Sequence, residues 1–397
     1  MVQFSGQWSA VEISELGIRP DAKGLDVGRE PFIKSRGTAH CCIEPDNYYS
    51  IARKFGPGSL DFISSADLIS ATKYHRILLK EWFYAVRKGG KIIIALHPEK
   101  SFDEAFLLSE IKKVLKDGVS TAIVNKGGWS VFILTKKCSS RRPQDTIDRW
   151  TFGIITNGKR PELMEKIFES IKSQKIPRFE IIVCGTYFRR KGIRYIPFSE
   201  KDDLGWITRK KNIICGAAKY ENIAILHDRV ALGKNWFKGV KKYGNDFEIF
   251  LCPQYYNGGL LNSWSTTAYP FSDPRCMVVY PIEHADWDPW VTTGGSATFI
   301  KKSVWKQVPW DETLFWNQNE DLRQGHHAFQ KGVVVRFNPW ARLISLSPPR
   351  GKKIPVIVKK DPKKLGRLTG DPFTVLKKTS YQKWLNIKYA VIKKLNP

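Results

Sequence analysis

From Trp150 onward the hydrophobic positions fall into a repeating order of apolar run, polar break and helical stripe. TFGIIT is a continuous apolar run of strand length, NGKRPE is a polar loop, LMEKIFESIKSQ carries apolar residues at helical spacing, and FEIIVCG is a second apolar run. Strand, loop, helix and strand in this order predict a βαβ unit. Pro161 suits the first turn of its helix, where a missing N–H costs nothing. Further on, GWITRKKNIICGAAKYENIAILHDRVALGKNWF reads as a basic helix and then a buried strand, Ile223–Leu226, that ends in His227-Asp228-Arg229. The turn Gly294-Gly295 opens a third piece: a short apolar strand (Ala297–Ile300), a helix-like KKSVWKQV, an aromatic loop, and the acidic pair Glu320-Asp321 entering another helix.

The first part of the chain alternates in the same way. KGLDVGRE and AHCCIEPD read as short strands, and SLDFISSADLI follows the turn FGPG as another. In KYHRILLKEWFYAVRKGGKIIIALHP a helix is expected to stop on Lys-Gly-Gly, with a buried strand directly after it. An amphipathic helix (Phe102–Leu115) and the strand-like GWSVFILTKK complete the section. Strands alternating with helices predict a parallel α/β sheet. Residues 138–149, CSSRRPQDTIDR, are polar and aperiodic, as a domain linker would be. The fold class expected is α/β with two Rossmann-like domains: 1–138, a linker at 139–149, a second domain at 150–345, and a basic extension at 346–397.

Charge adds to this picture. The formal net charge is +27, and residues 341–397 contribute 15 Lys/Arg against 2 Asp/Glu. Such a tail implies an anionic partner, whether a membrane surface, a nucleic acid or a phosphate-linked substrate, or else a solvated face. Tyr381, Trp384, Leu385, Ile392 and Leu395 approximate an apolar stripe, suited to an anionic membrane or to docking on the protein itself. No nucleic-acid recognition module is present. The opening residues have neither the basic nor the apolar segment of a secretory signal, the apolar runs are too short to span a bilayer, and the seven cysteines are scattered without a CxxC. A cytoplasmic location, peripheral at most to a membrane, is expected.

Glu320 and Asp321 sit at a helix start, where the dipole and free N–H groups stabilise an anion. One can face a cleft while the other holds the local structure, and helix capping alone is the simpler alternative. Polar groups at the tips of the strands ending at Thr156 and His227 mark the edge where open α/β sheets bind ligands. Half of the fourteen tryptophans lie between residues 264 and 340, and Trp316 just precedes the acidic pair. An aromatic face there suits a sugar, although core packing is the usual fate of a tryptophan.

Several ordered words in 150–345 resemble a glycosyltransferase of the GT-A fold, closest to family two: IITNGKRPE, SIKSQ…FEIIV, Lys211-Asn212…Ala217-Ala218, Ile225–Arg229, Gly294–Ile300 and WDE…NEDL…KG. The resemblance implies a nucleotide-sugar donor held by Thr156, Asn157, Arg160, Glu162, Lys211, Asn212, Asp228 and Arg229. It implies an acceptor hydroxyl, on a glycan or lipid-linked saccharide, beside Gly294, Gly295 and Trp316. Asp321 becomes the general base of an inverting transfer, with Glu320 orienting or binding the acceptor. The family's metal-binding DxD position reads His227-Asp228-Arg229 here. Two readings stay open, Mn²⁺ or Mg²⁺ on Asp228 with His227, or neutralisation of the diphosphate by Arg229, Lys210 and Lys211; an inactive protein is the third.

In residues 1–138, Leu25-Asp26-Val27-Gly28, Ser59–Ile63 and Val86–Gly90 resemble a class I S-adenosylmethionine-dependent methyltransferase fold. The resemblance implies S-adenosylmethionine contacts at Asp26, Gly28, Glu44 and Asp46. Arg29 and Glu30 follow the single glycine where the family has more, so a degenerate scaffold or binding module is the expectation, with an active methyltransferase as the alternative. A glycosyltransferase acting on nucleic acid and a non-catalytic binding protein complete the alternatives.

Overall fold

The computed structural model describes residues 14–348 except 15, 29–31, 34–36, 43–54, 98–103, 127, 140–144, 188–189, 200–204, 269–277, 290 and 317. The basic extension with its amphipathic stripe, Arg29, Glu30, Glu44 and Asp46 therefore lie outside the described residues. The chain forms two compact units, Met1–Pro143 and Gln144–Pro397.

In the first unit, six strands are ordered β2-β1-β3-β4-β6-β5: β1 (Gly24–Gly28), β2 (Thr38–Cys42), β3 (Leu60–Ala66), β4 (Val86–Leu96), β5 (Val119–Lys126) and β6 (Trp129–Lys136). Neighbours among β1 to β4 pair parallel, but β6 runs antiparallel to β4, and β5 antiparallel to β6. The sheet is thus mixed, not purely parallel as its alternating pattern suggests. Two strands joined as tightly as Lys126 and Trp129, which face each other, must pair antiparallel. Helix α1 (His75–Ala85) also stops before the Gly pair expected to end it. Gly89 and Gly90 instead lie inside β4, where the register with β3 shifts between Leu60 and Phe62. Glycine is common at such an irregularity. Helix α2 (Glu104–Leu115) buries Leu107, Ile111 and Val114 at helical spacing.

In the second unit, the leading βαβ pattern becomes β7 (Arg149–Thr156), α3 (Pro161–Lys172) and β8 (Arg178–Gly185). β7 is buried over seven of its eight residues, which is why it reads as unbroken apolar sequence. The chain continues through β9 (Arg194–Pro197), α4 (Ile207–Ala217), β10 (Asn222–His227), β11 (Val230–Leu232) and α5 (Trp236–Tyr243). Next come β12 (Ile249–Leu251), β13 (Gln254–Tyr256), β14 (Gly259–Asn262), β15 (Ser265–Ala268), β16 (Val278–Pro281) and β17 (Ala297–Lys301). Helix α6 (Glu320–Gln330), β18 (Val335–Phe337) and β19 (Leu343–Ser345) follow. Seven strands form the central sheet in the order β18-β12-β17-β10-β7-β8-β9, and β11-β19-β13-β14 form a smaller one. The predicted helix KKSVWKQV shrinks to one turn, Lys302–Trp305. Pro309 stands close behind it, and the residue before a proline avoids helical geometry.

Aromatic residues fill the core under the central sheet. Trp150 meets Trp236 edge-on at 5.2 Å, and Phe250 stacks on Phe299 at 4.7 Å. Such pairs add about 0.5–1.5 kcal/mol each beyond the area they bury. Helix α4 lies so close to β7 that a Cβ on Gly153 would sit 2.2 Å from the Ile214 side chain. Only glycine permits that approach, and it brings Lys210 and Lys211 to the end of β7.

Candidate active site

β7, β8 and β10 run parallel, so their C-terminal ends share one edge of the sheet. β17 pairs antiparallel with β10, so it is the start of β17 that lies at this edge. Thr156, the segment His227-Asp228-Arg229 and the turn Gly294–Ser296 converge there. Main-chain bonds fasten them: His227 N–H donates to Ser296 O at 3.0 Å, and Asp228 N–H to Ile155 O at 3.2 Å.

One side of the edge is cationic. Asp228, buried, accepts from Arg160 Nη1 at 2.8 Å through Oδ1 and from the Thr156 hydroxyl at 2.9 Å through Oδ2. Thr156 Oγ1 in turn accepts from Gly158 N–H at 3.0 Å, and the Thr156 carbonyl accepts from Lys210 Nζ at 2.7 Å. Lys211 is 1% exposed; its Nζ lies 3.6 Å from Glu320 Oε1 and 5.5 Å above the Trp310 ring. Neither Lys211 Nζ nor His227 Nε2 has a hydrogen-bond partner among the described residues, although both atoms are enclosed. Burial pushes the His227 imidazole well below its usual range, and the charges of Lys211, Arg229, Lys210 and Arg160 press the same way. His227 is therefore a neutral ring within a ring of cations.

The other side is acidic. Asn319 takes a left-handed conformation (φ 60°) and turns the chain into α6, placing Glu320 and Asp321 in its first turn. Glu320 is buried, and burial together with the neighbouring Asp321 lifts its carboxyl to about 7 against the opposing pull of Lys211. Asp321 is half-buried; its carbonyl accepts from the Thr293 hydroxyl at 2.8 Å, and its Oδ1 from Leu322 N–H at 3.0 Å. Gly295 faces both acids: a Cβ there would lie 3.1 Å from Asp321 Oδ2 and 3.7 Å from Glu320 Oε1. The turn before β17 thus separates a carboxylate that reaches solvent from one paired inside with Lys211.

No protein-family model matches the chain, and no curated protein matches it. Among solved structures it is similar to GalNAc-T7 with UDP, GalNAc and Mn²⁺, at TM-score 0.39 and 12% identity over 55% of this chain and 47% of that one. It is also similar to S. aureus TarS 1-349 in complex with UDP, at TM-score 0.37 and 12% identity over 49% of this chain and 60% of that one. The chain thus spans less than two thirds of either structure, and both likenesses are loose.

The expected divalent cation does not fit Asp228 and His227. A hard cation needs several oxygen ligands and tolerates no guanidinium among them. Both oxygens of Asp228 are engaged, one by Arg160, and His227 is walled by positive charge. No group of three or more His, Cys, Asp or Glu side chains able to hold a metal occurs among the described residues.

Other residues expected to contact donor or acceptor hold local structure or face solvent. Asn212 is spent inside the unit: its Oδ1 accepts from Trp305 Nε1 at 2.9 Å and Trp310 N–H at 3.0 Å, and its Nδ2 donates to Trp310 O at 2.8 Å. Glu162 is exposed in the first turn of α3, and Asn157 caps its own loop by accepting from Lys159 N–H at 3.2 Å. Trp316 is 39% exposed, with its N–H donating to Gly205 O. Gly294 (φ 76°) shapes the turn and gives its carbonyl to the Thr298 hydroxyl. Thr293 and Ser296, not singled out from sequence, hold this turn; Ser296 Oγ donates to Gln254 Oε1 at 2.6 Å. A hydroxyl on each side of the Gly-Gly pair was the available signal.

In the first unit Gly28 ends β1, and Asp26 points inward. Its carboxylate is held by the Ser64 hydroxyl, the Phe32 N–H and His40, and burial raises its pKa. Asp26 therefore ties β1 to β2 and β3.

Proposed function

We propose that the second unit is a GT-A-type glycosyltransferase that moves a sugar from a nucleotide-sugar donor to an acceptor hydroxyl with inversion. The observation that carries this reading is the juxtaposition of a half-exposed carboxylate, Asp321, with a cluster of buried cations across the Gly294–Ser296 turn, at the ligand-binding edge of the sheet. In the reaction the acceptor oxygen forms a bond to the anomeric carbon while the bond from that carbon to the diphosphate oxygen breaks. Asp321 takes the acceptor proton, and the electron pair leaves on the diphosphate. Glu320, paired with Lys211, positions the first turn of α6 and so aims its neighbour. A glycan or lipid-linked saccharide is the acceptor we propose, with the basic extension holding the protein at an anionic surface. The first unit serves as a scaffold or binding module.

A thermal-shift screen of UDP-, GDP-, dTDP- and CMP-sugars names the donor, since a ligand at a hundred times its Kd stabilises its unit by about 2.7 kcal/mol. With that donor, Asp321→Asn should abolish transfer and leave the donor-induced shift intact. Turnover retained in Asp321→Asn removes Asp321 as the base.

A further inference from the structure

We infer that this site takes up the diphosphate of its donor without a divalent cation, Arg160 and Lys211 supplying the positive charge in the metal's place. The inference rests on the glycosyltransferase reading and deepens it by naming how the leaving group is held.

Asp228 directly follows β10. A carboxylate at the tip of β10 is where a cation would be anchored, yet here it is already neutralised by Arg160 at 2.8 Å. Arg160 comes from the loop after β7, 68 positions away in sequence, and its reach to Asp228 fixes the guanidinium at the sheet edge. A guanidinium has five N–H donors in a planar fork. With one spent on Asp228, others are left to grip phosphate oxygens in pairs.

Lys211 makes the second half. Its ammonium is buried on α4 and sees Glu320 only at 3.6 Å, too far for a good hydrogen bond. An enclosed ammonium without an acceptor is costly, and the cost is removed when an anionic oxygen arrives. The charge count agrees. Among the described residues Arg160, Lys210, Lys211 and Arg229 act on the half-buried His227, and the acids at this edge are Asp228, Glu320 and Asp321. Among these residues positive charges outnumber negative ones before any ligand is bound. A metal would add to that surplus, whereas a diphosphate cancels it. Asp228 is then a placeholder anion that positions Arg160.

The test is calorimetric titration of the full chain with inorganic pyrophosphate, and with UDP, GDP, dTDP and CDP, once in EDTA and once in Mn²⁺ or Mg²⁺. Pyrophosphate and one nucleoside diphosphate should bind in EDTA with a Kd within about twofold of the metal-containing value. Arg160→Gln and Lys211→Met should each weaken that binding about tenfold or more, the worth of one charged hydrogen bond. Asp228→Asn decides the sign: as a placeholder its loss leaves binding unchanged or tighter, while a metal ligand's loss abolishes it. Binding that appears only with Mn²⁺ or Mg²⁺ overturns the inference and leaves glycosyl transfer standing. That arm uses the unaltered protein, so it decides the matter even where a variant fails to fold. Failure of every diphosphate to bind in either buffer overturns the glycosyltransferase reading itself.

Discussion

The pair Lys211–Glu320 makes a demanding prediction, because removing its two partners should have unequal and pH-dependent consequences. Both side chains are buried, at 1% and 7% exposure, with 3.6 Å between Nζ and Oε1. Above about pH 7, where the Glu320 carboxyl is ionised, Glu320→Gln strips the buried ammonium of the counter-charge 3.6 Å away, and breaking a buried pair in this way costs about 3–5 kcal/mol. Lys211→Met behaves differently, since a buried carboxyl can escape its charge by keeping its proton. The folded-state carboxyl is raised from 4.5 to about 7 by burial, so its contribution is fully present below 4.5 and is lost as pH rises through about 7. In the unaltered protein this loss is complete just above neutrality. Lys211 lowers that value, so removing it moves the folded pKa higher and extends the loss into alkaline pH. Stability of Lys211→Met relative to the parent should then decline by up to about 1.4 kcal/mol for each pH unit above 7. The double variant, with neither charge, should recover much of the Glu320→Gln deficit. Urea unfolding of the second unit's transition at pH 6, 7.5 and 9 reads all of this. A Glu320→Gln cost below about 1 kcal/mol, together with a pH-independent Lys211→Met deficit, would show the two groups to be solvated and the buried-pair argument mistaken.

Two further substitutions separate chemistry from architecture. Gly295→Ala places a Cβ 3.1 Å from Asp321 Oδ2, so the carboxylate must move by a few tenths of an ångström; kcat should fall about 10–100-fold with a melting temperature near that of the parent, and an unchanged kcat would detach Asp321 from the reaction. Asn212→Ala leaves the Trp305 indole and the Trp310 main chain without their partner, at about 1 kcal/mol for each part-buried group, while KM for the donor stays put; a raised donor KM at full stability would return Asn212 to the binding site.

What could be seen in the sequence was whatever has one environment along its length. β7 and β10 and the second half of β8 read as nearly unbroken apolar runs because they are buried on both faces, and α3 buries Leu163, Met164, Ile167, Phe168 and Ile171 on one clean stripe. The strand β5 has no legible period because VSTAIVNK mixes polar and exposed apolar positions; Ile123 and Val124 face solvent at 39% and 41% exposure. The strands of the smaller sheet are three or four residues long, below the length at which periodicity means anything. For the site, strand tips and the start of α6 were legible as positions, since topology alone sends them to one edge. Pairings were not. Nothing local to Arg160 announces Asp228, and Asn212 meets Trp310 across 98 positions, so a donor contact and a structural staple look alike until the fold is closed.

The outermost strand β9 carries a consequence for life in a crowded solution. A free sheet margin invites another chain to add itself, and a seven-stranded sheet with such a margin would be a standing hazard. β9 is only four residues long, starts with Arg194 and ends with Pro197. Proline has no N–H to offer a newcomer, and Arg194 has its guanidinium tied to Ala217 O at 2.8 Å. The sheet is thereby sealed at this margin against the strand-upon-strand addition that leads to fibres.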